Sequence, residues 1–182
     1  MKITKTKIKG LLIIEPQVFK DERGFFLETY NQKIYEEAGI KYDFVQDNLS
    51  KSAKGVLRGL HYQVNPFAQG KLVQVIQGAV LDVAVDIRFG SPTFGQYASV
   101  ELDEKNKKQF WIPPGFAHGF VSLTDGATFG YKCTNLYNPE SERGIIWNDP
   151  SLKINWKTKS PIVSEKDKKN KLFKDIEKDF EF

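Results

Sequence analysis

Short runs of β-branched and aromatic residues recur along most of the chain, separated by Gly, Pro, Asn and Asp, and each is too short for an ordinary helix. Residues 71–77 and 79–87 also alternate between two faces, as strands do. Because no helical pattern lies between these runs, they predict an antiparallel sandwich or barrel. The predicted strands are 11–14, 24–30, 44–46, 55–63, 71–77, 79–87, 97–102, 109–112, 119–123 and 127–134.

Two short peripheral helices are predicted beside these strands. Asn31 is a suitable N-cap for a helix through Ala38, and Gly39 follows as a left-handed stop. Ser164 and Asp167 have the spacing of a capping box. They predict a C-terminal helix whose apolar stripe comprises Leu172, Phe173, Ile176 and Phe180. No shift in composition marks a second domain, so residues 1–182 are interpreted as a single domain.

The formal net charge is +4, but the excess lies at the two ends. Residues 1–9 carry four lysines and no acid, and residues 157–182 carry eight lysines against six acids. The remaining body is slightly acidic, whereas proteins that bind duplex phosphate usually present a contiguous basic face. The charge pattern therefore argues against a nucleic-acid partner.

The sequence favours a cytoplasmic protein. Its longest aliphatic run, residues 11–14, is far below the roughly 20 apolar residues that cross a bilayer. No apolar segment of a secretory signal follows the N-terminal lysines. Cys133 is the single cysteine, which fits a reducing compartment and is most simply interpreted as a small buried hydrophobe.

The two histidines, His61 and His118, are the first candidates for chemistry. In a regular strand over 56–63, His61 and Arg58 would point to opposite faces. A bulge near Gly59 would change that parity and direct both side chains into one cavity. His118 follows a Pro-Pro-Gly turn at 113–115, which can hold a side chain at the mouth of a barrel, and Lys71 opens an otherwise apolar strand.

Several segments, taken in order, resemble the dTDP-4-dehydrorhamnose 3,5-epimerase family of the cupin superfamily. Residues 113–118 are similar to the second sequence motif of cupins, which are small jelly-roll barrels. The resemblance runs from about residue 10 to residue 168. It rests on residues 21–26 (DERGFF), 46–48 (QDN), 56–63 (VLRGLHYQ), 70–75 (GKLVQV), 111–120 (WIPPGFAHGF), 131–134 (YKCT), Tyr137 and 147–149 (WND).

The resemblance implies a cupin-type antiparallel jelly-roll barrel and an isomerase in dTDP-L-rhamnose biosynthesis. The implied substrate is dTDP-4-keto-6-deoxyglucose, inverted at C3 and C5 through an enolate. His61 matches the catalytic base, Tyr131 the proton donor and Lys71 the cation at the enolate oxygen. Asp167 matches the carboxylate that pairs with the base, a role that competes with helix capping for the same residue. A histidine, a phenol and an ammonium suit these tasks.

The resemblance also implies a substrate-binding set and a homodimer in which an N-terminal segment crosses to the partner. Cations near the diphosphate are implied at Arg23, Arg58, His118 and Lys166. Positions around the nucleotide and sugar are implied at Glu28, Gln46, Asp47, Asn48, Tyr137 and Glu142. Arginine suits such a role because its planar fork fits phosphate oxygens.

Three alternatives stay open. An epimerase that acts on one carbon only would use the same base. A metal-dependent oxygenase would need a two-histidine, one-carboxylate site from His61, His118 and an acid such as Glu28 or Glu142. Metal-binding cupins typically offer three histidines and a glutamate, and this chain has Gln63 where the first motif would need a second histidine, so we expect no metal and no cofactor. A sugar-binding module without catalysis is the third alternative.

Overall fold

The computed structural model describes residues 1–182 as an almost entirely β protein. It contains fourteen strands and one short helix. The elements are β1 (Lys2–Lys5), β2 (Leu12–Glu15), β3 (Phe19–Asp21), β4 (Gly24–Phe26), α1 (Gln32–Glu37), β5 (Gln46–Ser52), β6 (Val56–Gln63), β7 (Lys71–Gln77), β8 (Ala79–Asp86), β9 (Tyr97–Asp103), β10 (Gln109–Ile112), β11 (Phe116–Ser122), β12 (Ala127–Cys133), β13 (Glu142–Gly144) and β14 (Ile162–Val163).

The strands form two facing sheets and a separate hairpin. One sheet has the order β1-β2-β10-β7-β12-β5, and the other has the order β13-β6-β11-β8-β9 with β14 added along β6. All strand pairs are antiparallel except β14 with β6. β3 and β4 pair only with each other. The predicted mainly β, antiparallel cupin-type barrel is confirmed.

The space between the sheets is filled at one end and open at the other. Fourteen buried residues from both sheets form the core, and among them Phe120 and Phe129 stack with ring centroids 4.2 Å apart. Their rings close the bottom of a cavity that begins where the apolar side chains stop. A second core lies on the outer side of the β6-β11-β8 sheet, where Trp156, Phe173 and Phe180 cover it.

A bulge interrupts β6 where Gly59 meets β11. His61 pairs with His118 and Arg58 pairs with Phe120, so two residues of β6 lie opposite one residue of β11. The extra residue turns Arg58 and His61 to the same side, and both line the cavity. The change of parity expected near Gly59 is therefore confirmed.

The helix capped by Asn31 is confirmed, and the C-terminal helix is wrong. The Asn31 side chain accepts a hydrogen bond from Ile34 N, and Gly39 has a φ of +93°. At the C-terminus only two 3-10 turns form, Asp167–Lys169 and Phe173–Asp175. Phe173, Ile176 and Phe180 pack on the second core from a segment with a single 3-10 turn, so tertiary contacts override the helical spacing. No helix has the length and apolar character needed to cross a membrane.

The strand predictions are correct for most of the two sheets and wrong at their margins. β7 and β10 have the predicted bounds. The run predicted at 44–46 overlaps the real strand, β5, only at Gln46, because the polar sequence QDNLSKS gave no strand signal. β1, β3, β13 and β14 were also not predicted, because short strands at a margin carry little apolar pattern.

We predict that Gly59→Ala destabilises the protein by about 2–4 kcal/mol. Gly59 has a φ of +132°, and a Cβ there would lie 2.5 Å from Gly119 Cα and 2.9 Å from His118 O. Gly24→Ala is the matched control, since Gly24 has a φ of +131° and open space around it. Urea denaturation measures both free energies of unfolding, and equal losses in the two variants would contradict a role for the close approach.

Candidate active site

The open end of the barrel forms a cavity of about 430 Å³ between the two sheets. A smaller cavity of about 310 Å³ adjoins it. His61, Lys71 and Tyr131 line both cavities, so they lie where the two meet. His61 belongs to β6 in one sheet, whereas Lys71 and Tyr131 belong to β7 and β12 in the other. The residues predicted to carry the chemistry are thus brought to one place from opposite walls.

His61 and Asp167 form a tight pair, with Nε2 of the imidazole 2.6 Å from Oδ1 of the carboxylate. The second carboxylate oxygen accepts a hydrogen bond from Gly59 N at 3.3 Å. Burial acts to raise the pKa of Asp167, but the hydrogen bond and charge of His61 outweigh burial and the pKa is lowered. An ionised carboxylate fixes the imidazole tautomer and stabilises the imidazolium that proton abstraction forms. The Nδ1 atom is left as the ring nitrogen available to a substrate.

The two expected uses of Asp167 do not compete. Ser164 Oγ accepts a hydrogen bond from the backbone N–H of Asp167 at 3.1 Å, which is the capping interaction. The carboxylate is left free for His61. No α-helix follows, so this bond forms only the Ser164 half of the expected capping box, and the 3-10 turn that begins at Asp167 has no side-chain cap of its own.

Lys71 and Tyr131 lie on the wall of the cavity opposite His61. Burial lowers the pKa of Lys71, and the negative groups around it only partly oppose this. Lys71 forms no ion pair, so its amino group is available to a ligand. Burial raises the pKa of Tyr131, with Arg58 partly opposing it, so the phenol stays protonated near neutral pH.

His118 pairs with a carboxylate that sequence reasoning missed. Its Nε2 lies 2.9 Å and 3.0 Å from the two oxygens of Asp82, which is fully buried on β8. Burial raises the pKa of Asp82, and the charge and hydrogen bond of His118 partly oppose this. An acid in an alternating apolar strand was the available signal, because a buried carboxylate needs a partner. The nearby Lys71 also partly opposes the rise in the pKa of Asp82.

Three more of the expected binding residues form a cluster at the cavity rim. Glu142 Oε2 accepts hydrogen bonds from Tyr137 Oη at 2.7 Å and from Lys166 Nζ at 2.5 Å. Burial acts to raise the pKa of Glu142, but these two donors outweigh it and lower the pKa. The cluster joins Tyr137, in the loop before β13, to Lys166, which is next to Asp167. Hydrogen bonds therefore link the cavity rim to the segment that carries the partner of His61.

β5 directs part of the expected binding set inward and part outward. Gln46 and Asn48 line the smaller cavity and are joined by a 3.1 Å hydrogen bond. Asp47 points to the outside, where it forms an ion pair with Lys132. On β6, Arg58 reaches the larger cavity, and its Nε donates to Ser52 Oγ at 3.2 Å.

Arg23 and Glu28 lie outside both cavities of this chain. Arg23 is at the tip of the β3–β4 hairpin, almost fully exposed, and forms an ion pair with Asp21. Glu28 follows the hairpin and accepts a hydrogen bond from Asn31. These two residues do not reach the site within one chain.

The side chains do not assemble a set of metal ligands. No group of three or more His, Cys, Asp or Glu residues is arranged to hold an ion. His61 and His118 each engage a separate aspartate through Nε2. Gln63, at the position of the missing histidine, donates to Phe67 O and Leu136 O and so organises loops.

An imidazole backed by a carboxylate faces an ammonium and a phenol inside a barrel large enough for a sugar. Such groups transfer protons and stabilise an oxyanion, which is general acid–base chemistry. The fold and the site together therefore define an acid–base enzyme of the cupin type.

Comparison with known proteins gives the particular family. The model for the family described as dTDP-4-dehydrorhamnose 3,5-epimerase matches residues 5–175. The dTDP-4-dehydrorhamnose 3,5-epimerase of Shigella flexneri is 57% identical over 178 residues, covering 97% of this chain and 98% of the relative. This chain belongs to the dTDP-4-dehydrorhamnose 3,5-epimerase family and is an isomerase.

Solved structures agree with this assignment. The dTDP-6-deoxy-D-glucose-3,5-epimerase of Legionella pneumophila, in complex with dTDP-4-keto-L-rhamnose, has a TM-score of 0.93 and 56% identity, covering 97% of this chain and 94% of that chain. A 3'-monoepimerase from Streptomyces bikiniensis, in complex with dTDP-quinovose, has a TM-score of 0.88 and 34% identity, covering 93% of this chain and 86% of that chain. The same barrel thus occurs in a 3,5-epimerase and in a 3'-monoepimerase.

We predict that Asp167 contributes stability that is lost in acid. Because its folded pKa lies below the ordinary value of 3.8, the contribution is present above about pH 4 and disappears as the pH falls through the folded pKa. The wild type should therefore lose more free energy of unfolding than Asp167→Asn between about pH 5 and pH 2. Asp175→Asn, at an exposed carboxylate, is the control, and parallel curves for wild type and Asp167→Asn would contradict the prediction.

Proposed function

We propose that the chain converts dTDP-4-keto-6-deoxyglucose into dTDP-4-keto-L-rhamnose by inverting C3 and C5. The observation that carries the proposal is the meeting of His61 from one sheet with Tyr131 and Lys71 from the other in a single cavity. Inversion requires that a proton leave one face of the ring and return to the other. A base and an acid on opposite walls provide this arrangement.

His61 is the proposed base. Its imidazole removes the proton from the carbon next to the ketone, and the electron pair of that C–H bond moves into the carbonyl to give an enolate. Asp167 stabilises the imidazolium through the 2.6 Å bond to Nε2. The ketone itself accepts the electrons, so the proton transfers balance without an external oxidant or reductant.

Lys71 and Tyr131 complete the cycle. The ammonium of Lys71 stabilises the developing negative charge on the ketone oxygen in a site with little competing water. Tyr131 then gives its phenolic proton to the opposite face of the same carbon, and exchange with solvent restores both residues. The raised pKa of Tyr131 suits this task because the phenol is protonated before it donates.

The proposal includes binding of the diphosphate by cations around the cavity. Arg58 and Lys166 both line it, and His118 lies at its floor. Lys166 is also paired with Glu142, so substrate binding would exchange that carboxylate for phosphate oxygens. Tyr137 is half exposed beside these groups and can cover the nucleotide at the rim.

Inversion at one carbon only is the second candidate function, and the similar 3'-monoepimerase structure supports it. The first measurement is proton NMR of chelator-treated protein with dTDP-4-keto-6-deoxyglucose in deuterated water. Loss of both the C3 and C5 proton signals supports the double epimerase, and loss of the C3 signal alone supports the single epimerase. Exchange that requires added metal, or no exchange, would contradict the proposal.

We predict that His61→Ala and Tyr131→Phe each lower kcat by about 10²–10⁴-fold, because each removes one of the two proton-transfer groups. The free energy of unfolding should change little in Tyr131→Phe, since only a hydroxyl is lost. Tyr42→Phe, at an exposed tyrosine, is the control and should retain wild-type turnover. Near-normal turnover in both cavity variants would exclude the assigned roles.

A homodimer is part of the proposal. The β3–β4 hairpin pairs with neither sheet and leaves Phe19, Phe25 and Phe26 more than half exposed, and large apolar patches of this kind usually mark an interface. Arg23 lies on the same hairpin. Insertion of the hairpin beside a partner's barrel would cover the phenylalanines and deliver Arg23 and Glu28 to the partner's cavity.

Mixed dimers test this exchange. We predict that Arg23→Ala and His61→Ala, each nearly inactive alone, regain about one quarter of the wild-type activity after co-refolding, because half of the sites in a mixed dimer contain both intact residues. Sedimentation should give twice the mass of one chain. A monomer, or no recovery on mixing, would contradict the proposed exchange.

The cytoplasm is the proposed location. Cys133 is unpaired and buried, as expected for a thiol in a reducing compartment.

A further inference from the structure

One hydroxyl in the cavity wall has no partner in the protein. The inward face of β5 carries four polar side chains, those of Gln46, Asn48, Ser50 and Ser52. Gln46 and Asn48 bond to each other, and Ser52 Oγ accepts from Arg58. Ser50 Oγ is shielded from solvent and makes no hydrogen bond, although the residue lines the larger cavity. An unpaired buried hydroxyl carries a free-energy cost, so it requires an explanation.

The strand register locates Ser50 within the cavity. Ser50 pairs across the strands with Phe129, and Asn48 pairs with Tyr131. Ser52 lies two residues further along the same face and contacts Arg58. Ser50 therefore lies between Tyr131, the proposed proton donor, and Arg58, which is proposed to bind the diphosphate. Along β5 it is about 7 Å from Asn48 on one side and from Ser52 on the other.

The substrate has one polar group in the corresponding place. In the proposed reaction, C3 is beside Tyr131 and the diphosphate on C1 is near Arg58, and the atom between C1 and C3 is C2, which carries a hydroxyl. Rotation about the single side-chain dihedral of Ser50 turns its Oγ into the cavity and moves it between staggered positions. The other polar side chains that line the larger cavity have a hydrogen-bond partner in the protein or a role in the proposed reaction.

We propose that Ser50 hydrogen-bonds the C2 hydroxyl of the sugar and makes the enzyme selective for 2-hydroxy over 2-deoxy substrates. This inference rests on the proposed function. The bond would hold the ring next to the reacting C3, and a 2-deoxy sugar would leave Ser50 unpaired. Sites that hydrogen-bond a substrate hydroxyl discriminate strongly against analogues that lack it.

The test compares two substrates in wild type and Ser50→Ala. The substrates are dTDP-4-keto-6-deoxyglucose and its 2-deoxy counterpart, and exchange with deuterated water gives kcat/KM for each. We expect Ser50→Ala to lower kcat/KM for the 2-hydroxy substrate by about 10-fold and to leave the 2-deoxy substrate within about 2-fold. The contact is identified by the change in the ratio of the two kcat/KM values, not by the loss of kcat/KM for one substrate alone.

Two controls separate this contact from general effects. Leu49→Ala alters the outward face of the same strand, where Leu49 is 71% exposed, and should leave both substrates unchanged. Ser52→Ala removes the partner of Arg58 and should weaken both substrates equally. The dissociation constant of dTDP should be the same for wild type and Ser50→Ala, because dTDP lacks the sugar that Ser50 contacts.

The outcomes distinguish the inference from the function on which it rests. An equal loss for both substrates in Ser50→Ala, or weaker dTDP binding, would overturn the C2 contact while leaving the epimerase proposal intact. No exchange by the wild type with either substrate would overturn both. Unfolding measurements on Ser50→Ala check that any loss is not a loss of folded protein.

Discussion

The contact between Gly59 and Gly119 is the constraint on which the site depends. The two backbones approach so closely that a Cβ on either glycine would meet backbone atoms of the other strand. The resulting bulge places Arg58 and His61 on the same wall, whereas a regular strand would turn one of them away. Gly59 also donates its N–H to Asp167, so the same residue shapes the strand and holds the carboxylate that pairs with His61. Steric and polar requirements of the site thus meet at one glycine.

The barrel interior combines an apolar floor with charges that are costly to bury. Asp82 contacts His118 and lies near Lys71, and these two groups offset part of the cost of burying its carboxylate. The pKa of Asp167 is lowered rather than raised, because its carboxylate accepts hydrogen bonds from His61 and from a backbone N–H, so it stays ionised. This division leaves the ammonium of Lys71 and the phenol of Tyr131 directed at the ligand space. An enolate would form in surroundings that already carry the charge needed to stabilise it.

Most of the sheet core and all four catalytic candidates could be predicted from the sequence, for different reasons. Alternation in β7 and β8 is a local signal, and burial in the structure follows it. His61, Tyr131, Lys71 and Asp167 came from a resemblance in ordered motifs, and the structure gathers them around one cavity. β5 and Asp82 were missed. A polar strand at the margin of a sheet lacks the apolar pattern that identifies strands, and a buried acid is recognised only when its partner is known.

The sequence by itself determined the fold class, because short apolar runs with period two can bury their side chains only by pairing into sheets. It also determined the cap at Asn31, since capping depends on neighbouring residues. Only the tertiary structure decided that residues 170–182 contain a single 3-10 turn rather than a helix, that Asp47 faces outward and that Ser50 lines the cavity with its hydroxyl unpaired. These outcomes depend on contacts between residues far apart in the chain, and local propensity is too weak to override such packing.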